Sequence, residues 1–285
     1  YHVPARLLNF IKGYLSERKM RVRVGDTLSD EEPVLSGVPQ GSILGPLLFN
    51  AYINRVSETE LSEHGQVILY ADDLVYIKPL HTMNSTNEMT ADMEKIETAF
   101  SDLKLKLNPK KCKVMRMSIS KAHFDAEVAI GGEKLEVVDS YKYLGIHVDP
   151  KLTFCEHTKV TVNRVRRALG VMTRVIRKWA PRKVFAKIYK ATIEPVLLYG
   201  SEICYPSQAG LQNSLERTHR YATRLASNDF TSEYPVILEK MGWKSCQQMA
   251  TERGLTLMWL YLHGKRAIPD GIFELSKDSG RRMSL

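Results

Sequence analysis

The stretch VILYADDLVYI, Val67 to Ile77, sets two adjacent carboxylates, Asp72 and Asp73, between two short runs of strand-forming residues. Two apolar runs flanking Ala71-Asp72-Asp73 predict a β-hairpin with the acidic pair at its tip. Adjacent carboxylates repel each other, and apolar neighbours raise the cost of charging them. A hard divalent cation relieves that cost, and Mg²⁺ favours carboxylate oxygens together with substrate phosphates. The pattern therefore points to metal-assisted phosphoryl or nucleotidyl transfer. Asp-Asp is also good turn chemistry, and taken alone the pair reads first as a turn.

Upstream of this hairpin, Leu7, Leu8, Ile11, Tyr14 and Leu15 recur at helical spacing after Pro4, which predicts an amphipathic helix over residues 4–17. MRVRV (20–24) alternates as a strand, GDTLSD (25–30) is a turn, and EEPVLSG (31–37) leads out of the hairpin partner. Residues 43–58, ILGPLLFNAYINRVSE, are apolar over most of their circumference and predict a helix buried between layers. Downstream, Met89, Met93, Ile96, Phe100 and Leu103 form the apolar stripe of a helix over roughly 85–107. KCKVMRMS (111–118), EVAIGGEKLEVV (127–138) and KYLGIHVD (142–149) predict short strands, with a Gly131-Gly132 turn in the second.

After Pro150 the pattern becomes helical. Val160, Val165, Leu169, Met172 and Ile176 make one seam, broken before Pro181. Val184, Ile188, Ile193, Val196 and Leu197 make a second, with a kink expected at Pro195. Further helices are predicted at 209–226 and 245–263, and the domain boundary near Pro150.

Composition narrows the class. A chain of 285 residues, 44% hydrophobic and 26% charged, can bury one large or two small cores. It has no run of 18 apolar residues, and Tyr1–Arg6 lacks a signal-peptide pattern, so no membrane partner is expected and an intracellular location, nucleus or cytoplasm, is. Cys112, Cys155, Cys204 and Cys246 lie 40 or more residues apart and read as reduced, mostly buried thiols. Charge is uneven: Lys151 to Lys190 holds twelve Lys or Arg against one acid, Glu156, a net +11 that leaves about −2 for the rest. Such a segment is either a solvated helix face or a surface for a polyanion.

The neighbours of the acidic pair decide between turn and site. SGVPQGSILGPLLFNAYIN (36–54) carries Gly37, Gly41 and Gly45, which let backbone approach a ligand, and Gln40, an amide suited to base or sugar recognition. LKLNPKKCKVM (105–115) and YKYLGIHVDPKLTF (141–154) follow. Together, in this order, these stretches resemble the palm of a reverse transcriptase of the non-LTR, LINE-type retrotransposon group. The resemblance implies an α+β fold: a partial right-hand palm, an antiparallel sheet backed by helices, over 1–150, a basic all-helical thumb over 151–205, and a helical C-terminal extension over 206–285. It implies an RNA-directed DNA polymerase that uses Mg²⁺, with Mn²⁺ as the alternative, and takes an RNA template, a DNA primer and deoxynucleoside triphosphates. Asp72 is implied as the principal metal ligand, with Asp73 supporting it. Pro39, Gln40 and Gly41 are implied to line the nucleotide and template side, and Lys111 to act near the pyrophosphate leaving group. Tyr143, Leu144 and Gly145 form the implied primer grip. Arg164, Arg166, Arg167, Arg174, Arg177 and Lys178 are implied to hold the nucleic-acid backbone.

The family's metal site takes a third carboxylate from a strand that precedes the loop-helix motif. The acids before Gly37 are Glu17, Asp26, Asp30, Glu31 and Glu32, and Asp26, the nearest mimic, falls in the predicted hairpin turn. The sequence thus reads as an N-terminally truncated fragment that begins after the catalytic strand, inactive or nearly so as a polymerase. A non-catalytic nucleic-acid-binding remnant is the alternative function, and a group II intron-type maturase a weaker one.

Overall fold

A computed structural model describes residues 3–80, 84–118 and 128–266. The fold is α+β, with about half the chain helical and small sheets that are antiparallel except for one pair. Contacts divide the described residues into two compact units, one of residues 3–114 with 128–137, the other of residues 115–118 with 138–266.

In the first unit, α1 (Ala5–Leu15) starts where the Pro4 carbonyl accepts from the amides of Leu7 and Leu8. None of its residues is buried. The expected strand MRVRV is interrupted. β1 (Lys19–Met20) pairs with β4 (Glu32–Pro33), and β2 (Arg23–Val24) pairs with β3 (Thr27–Leu28) around Gly25-Asp26. The ladder lapses at Val22 because its amide donates to the Ser29 hydroxyl instead of to a strand carbonyl. The predicted helix at 43–58 is α2 (Gly45–Ile53) followed by a tighter 3₁₀ turn, Asn54–Glu58. It is not buried all round: only Gly45, Ile53 and Val56 are, while Ile43 before it and Leu47 within it face solvent.

β5 (Gln66–Tyr70) and β6 (Asp73–Ile77) form the expected hairpin. Its inner face, Val67, Leu69, Leu74 and Tyr76, packs against a core built from Ile53, Val56 and the Met93, Ile96, Phe100, Leu103 stripe of α3 (Asn84–Asp102). α3 ends five residues earlier than the periodicity predicts. Lys104 takes a left-handed φ of 53°, and the Leu105 amide returns to the Phe100 carbonyl at 2.9 Å, which closes the helix C-terminus. β7 (Lys113–Val114) pairs in parallel with β10 (Glu136–Val137), shorter than the strand predicted at 111–118. β8 (Ala129–Ile130) and β9 (Glu133–Lys134) turn at Gly131-Gly132 as expected.

The second unit opens with the hairpin β11 (Tyr141–Tyr143) and β12 (Ile146–Val148). Helices α4 (Cys155–Val175), α5 (Arg182–Ile188), α6 (Glu194–Leu197), α7 (Ser201–Cys204), α8 (Ala209–Ser227), α9 (Tyr234–Met241) and α10 (Cys246–Leu262) follow. One core joins Val162, Val165, Leu169 and Met172 of α4 to Phe185, Tyr189, Leu215 and Trp243. Val160, placed in the α4 seam by spacing, is instead exposed, and Thr161 and Val162 take that face. The kink expected at Pro195 appears as a widened π-helical turn, Tyr189–Ile193, which leads into α6. Among the described residues no helix is long and apolar enough to cross a membrane.

Candidate functional site

The register of β5 and β6, closing on Tyr70↔Asp73, leaves Ala71 and Asp72 as a two-residue turn. Ala71 adopts φ 52°. Positive φ at the first turn position matches the right-handed twist of the flanking strands, but glycine is the residue that takes it without strain. Alternation then puts Asp73 on the outer face with Ile68 and Tyr70, while Asp72 occupies the turn itself. Both carboxylates are exposed within this unit, so the apolar flanks do not cover them there. Their adjacency at a tip that points away from the packed face remains.

Behind the tip the hairpin is tethered by a residue that the motifs did not single out. Asp92 on α3 is fully buried and accepts from the Ser62 amide at 2.8 Å, from the Ser62 hydroxyl and from the Tyr76 hydroxyl at 2.6 Å. Burial raises its pKa, but the hydrogen bonds from Ser62 and Tyr76 outweigh that and hold the carboxyl below the usual carboxylate range. Burial and the bond to Asp92 push the Tyr76 hydroxyl up. Lys78, its side chain 2% exposed, donates to the Ser62 hydroxyl at 2.6 Å and pairs with Glu88 at 2.9 Å. Gly65 is required here, because a Cβ would lie 2.9 Å from an Asp92 carboxylate oxygen. The sequence signal was an aspartate interrupting the Met89, Met93, Ile96 stripe.

The loop before α2 is shaped by its own hydrogen bonds and glycines. Gly37 and Gly41 take φ of 74° and 76°. The Ser42 hydroxyl donates to the Pro39 carbonyl at 2.7 Å and accepts from the Gly45 amide at 3.0 Å, and a Cβ on Gly45 would meet both oxygens at 2.8 Å. Arg18 reaches across to the carbonyls of Ser36 and Gly37, an anchor that sequence reading missed. Pro39 is half-buried, while Gln40 and Gly41 are exposed. Lys111 is exposed in the turn after Asn108-Pro109, its amide donating to the Asn108 carbonyl at 3.0 Å.

In the second unit, Leu144 (φ 46°) and Gly145 (φ 85°) make the turn of β11–β12, next to Tyr143 at the end of β11. The Tyr199 hydroxyl donates to the Leu144 carbonyl at 2.8 Å, and its ring lies 3.2 Å from where a Gly145 Cβ would be. Directly after β12, Asp149 accepts from the amides of Lys151, Thr153 and Phe154 and from the Thr153 hydroxyl. These bonds hold its pKa down against the opposing effect of burial. They also stabilise the left-handed Leu152 and Phe154 that lead into α4. Arg164, Arg166, Arg167 and Arg174 are exposed along α4, opposite its buried stripe. Arg177 and Lys178 are exposed in the turn beyond, Arg177 donating to Asn228 Oδ1 at 3.2 Å.

The sequence model of the reverse transcriptase (RNA-dependent DNA polymerase) family matches residues 2–148, which takes in the loop before α2, the acidic hairpin and β11–β12. The chain belongs to that family. The RNA-directed DNA polymerase from mobile element jockey of Drosophila melanogaster is 29% identical over 211 residues, covering 70% of this chain and 23% of the relative. The probable RNA-directed DNA polymerase from transposon BS of the same organism is 28% identical over 215 residues, with the same coverage. A Pol polyprotein from the type-1 retrotransposable element R1 of Nasonia vitripennis is 24% identical over 223 residues, covering 74% of this chain and 66% of the relative. These relatives bear out the resemblance to non-LTR retrotransposon reverse transcriptases. The chain spans under a quarter of the length of the first two.

Reverse transcriptases generally use divalent cations, and the tip suits one: Mg²⁺ is commonly held by one or two carboxylates, with substrate phosphates and water completing the shell. The tip presents two such carboxylates, Asp72 and Asp73, both exposed. Among the described residues no three His, Cys, Asp or Glu side chains come together as a metal cage. Asp26 sits in the β2–β3 turn with its carboxylate 3.5 Å from Arg23, and buried Asp92 is committed to Ser62 and Tyr76.

Proposed function

We propose that this reverse transcriptase chain supplies the metal-binding hairpin and the primer–template-holding surfaces of an RNA-directed DNA polymerase that copies RNA from a DNA primer. The observation that carries the reading is the exposed carboxylate pair at the tip of a hairpin whose other face is anchored by Asp92. In this assignment residues 1–150 are a partial palm, 151–205 a thumb and 206–285 a helical extension, of which 267–285 lie outside the described residues. Asp72 is the principal cation ligand and Asp73 supports it. Bound divalent cations supply charge neutralisation at the attacking and leaving oxygens of nucleotidyl transfer. Pro39, Gln40 and Gly41 line the nucleotide and template side, with Gln40 presenting its amide to the incoming pair, and Lys111 neutralises charge on the departing pyrophosphate. The primer 3′-hydroxyl attacks the α-phosphate, and the Tyr143-Leu144-Gly145 turn holds the primer end. The arginines of α4 with Arg177 and Lys178 hold the duplex by its phosphates, which carries no sequence preference, as copying requires.

The 285-residue chain by itself is proposed to extend primers poorly, because its described residues gather two of the three carboxylates that a two-metal site of this family takes. Primer extension on an RNA template with Mg²⁺ or Mn²⁺ tests this, with faint or no extension expected. Robust extension that Asp72→Asn abolishes would show that the chain completes its own site. Salt-sensitive duplex binding that is unchanged by Asp72→Asn, with no metal binding at the tip, would favour a non-catalytic binding role.

A further inference from the structure

Two of the three tryptophans are packed on other rings. Trp243 stacks on Tyr189 and His219 at centroid distances of 5.4 and 5.9 Å, and Trp259 lies on His263 at 4.2 Å. Trp179 is different: it is 86% exposed, in the turn between α4 and α5. That turn is rigid. The amides of Trp179 and Ala180 both donate to the Ile176 carbonyl, at 3.1 and 2.9 Å, and Pro181 fixes the next φ. Ile176 on one side and Phe185 on the other are seated in the core of the unit. Arg177 and Lys178 precede the indole in sequence and Arg182 and Lys183 follow it, all four exposed.

A large apolar ring held in water on a hydrogen-bonded turn, with cations on either side, suits a partner that offers both phosphates and flat apolar faces. Single-stranded nucleic acid does: its phosphates meet Lys and Arg while an unpaired base stacks on an aromatic ring, whatever the base. Continuous duplex meets only half of this description, since its base faces are covered by their neighbours. We propose that Trp179 is a stacking platform for an unpaired base of a single-stranded segment adjoining the primer–template duplex, with Lys178, Arg182 and Lys183 binding the phosphates on either side. The inference rests on the reading of α4 and the turn beyond it as a nucleic-acid surface, and it adds a base contact that phosphate binding alone does not provide.

The test is fluorescence anisotropy of the 285-residue chain with a blunt primer–template duplex and with the same duplex carrying a single-stranded template overhang, each across a series of salt concentrations. Trp179→Ala is expected to weaken overhang binding by about five- to a hundredfold, the range of one lost base stack, and to leave the salt slope unchanged because a stack releases no counterions. Trp179→Phe should restore most of the affinity. Lys178→Ala should instead lower the slope by about one unit on both substrates. Wild-type affinity for the overhang in Trp179→Ala, or failure of Trp179→Phe to restore binding, overturns the inference alone. So does Trp179-dependent binding to phosphatidylserine vesicles without Trp179-dependent binding to the overhang. Absence of binding by the wild-type chain to either oligonucleotide overturns both the inference and the nucleic-acid reading on which it rests.

Discussion

The two hairpins with assigned roles, β5–β6 and β11–β12, are both closed by two-residue turns, yet they are held in opposite ways. The first is gripped along its strands, by the packing of Val67, Leu69, Leu74 and Tyr76 and by the bond from Tyr76 to buried Asp92, while Asp72 and Asp73 at the tip stay exposed. The second is gripped at the tip, where Tyr199 bonds the Leu144 carbonyl and crowds Gly145. Under the proposed role, a tip that takes up metal and nucleotide gains from having its anchor elsewhere. Under the proposed role of the second hairpin as a primer grip, a turn that presents backbone in one shape gains from being pinned there.

The largest effect should come from the strand-side anchor. Asp92→Ala strands the Ser62 amide and the Ser62 and Tyr76 hydroxyls behind the hairpin and should cost roughly 3 kcal/mol, measured by urea unfolding. A cost below about 1 kcal/mol would mean that the network does not hold the hairpin. The same residue gives a pH dependence. Its folded pKa lies below the unfolded value near 4, so its contribution is complete above about pH 4 and is lost as pH falls through the folded pKa. Asp149, also depressed, acts in the same direction beside β12. Unfolding midpoints should therefore fall below pH 4, and Asp92→Asn should flatten that fall; an equally steep fall in the variant removes Asp92 from the account.

Next in size is Gly145→Ala, which forces a Cβ onto φ 85° and toward the Tyr199 ring; about 1–3 kcal/mol is expected. Tyr199→Phe removes one exposed hydrogen bond at the same tip and should cost about 1 kcal/mol. Ala71→Gly should be the smallest change, stabilising by under about 1 kcal/mol as relief of the positive φ is partly offset by glycine's unfolded-state entropy. If Ala71→Gly moves stability more than Gly145→Ala, the contrast between a free tip and a pinned tip is wrong.

Periodicity made the β5–β6 hairpin and α3 legible in the sequence, because each has one face on a core and one in water. It misled where cover is partial: residues 43–58 are apolar over most of their circumference, but most of α2 is not buried. It also gave no account of MRVRV, whose ladder is broken by a serine hydroxyl. α9 was overlooked although Pro235 in its first turn and left-handed Gly242 at its end are ordinary helix signals. The position of Asp72 and Asp73 at a hairpin tip was legible from the apolar runs around them, and Asp92 could have been found as the polar interruption of an apolar stripe. Tyr199 could not, since its bond to Leu144 spans 55 residues and no local pattern encodes it.

The most direct test is Mn²⁺ binding, followed by water-proton relaxation, to the 285-residue chain in the presence of primer–template and a deoxynucleoside triphosphate. Asp72→Asn should weaken Mn²⁺ binding at least about tenfold and Asp73→Asn less, with urea midpoints unchanged because the tip bears none of the packing. Wild-type Mn²⁺ affinity in Asp72→Asn would contradict the assignment of the hairpin tip as the metal site.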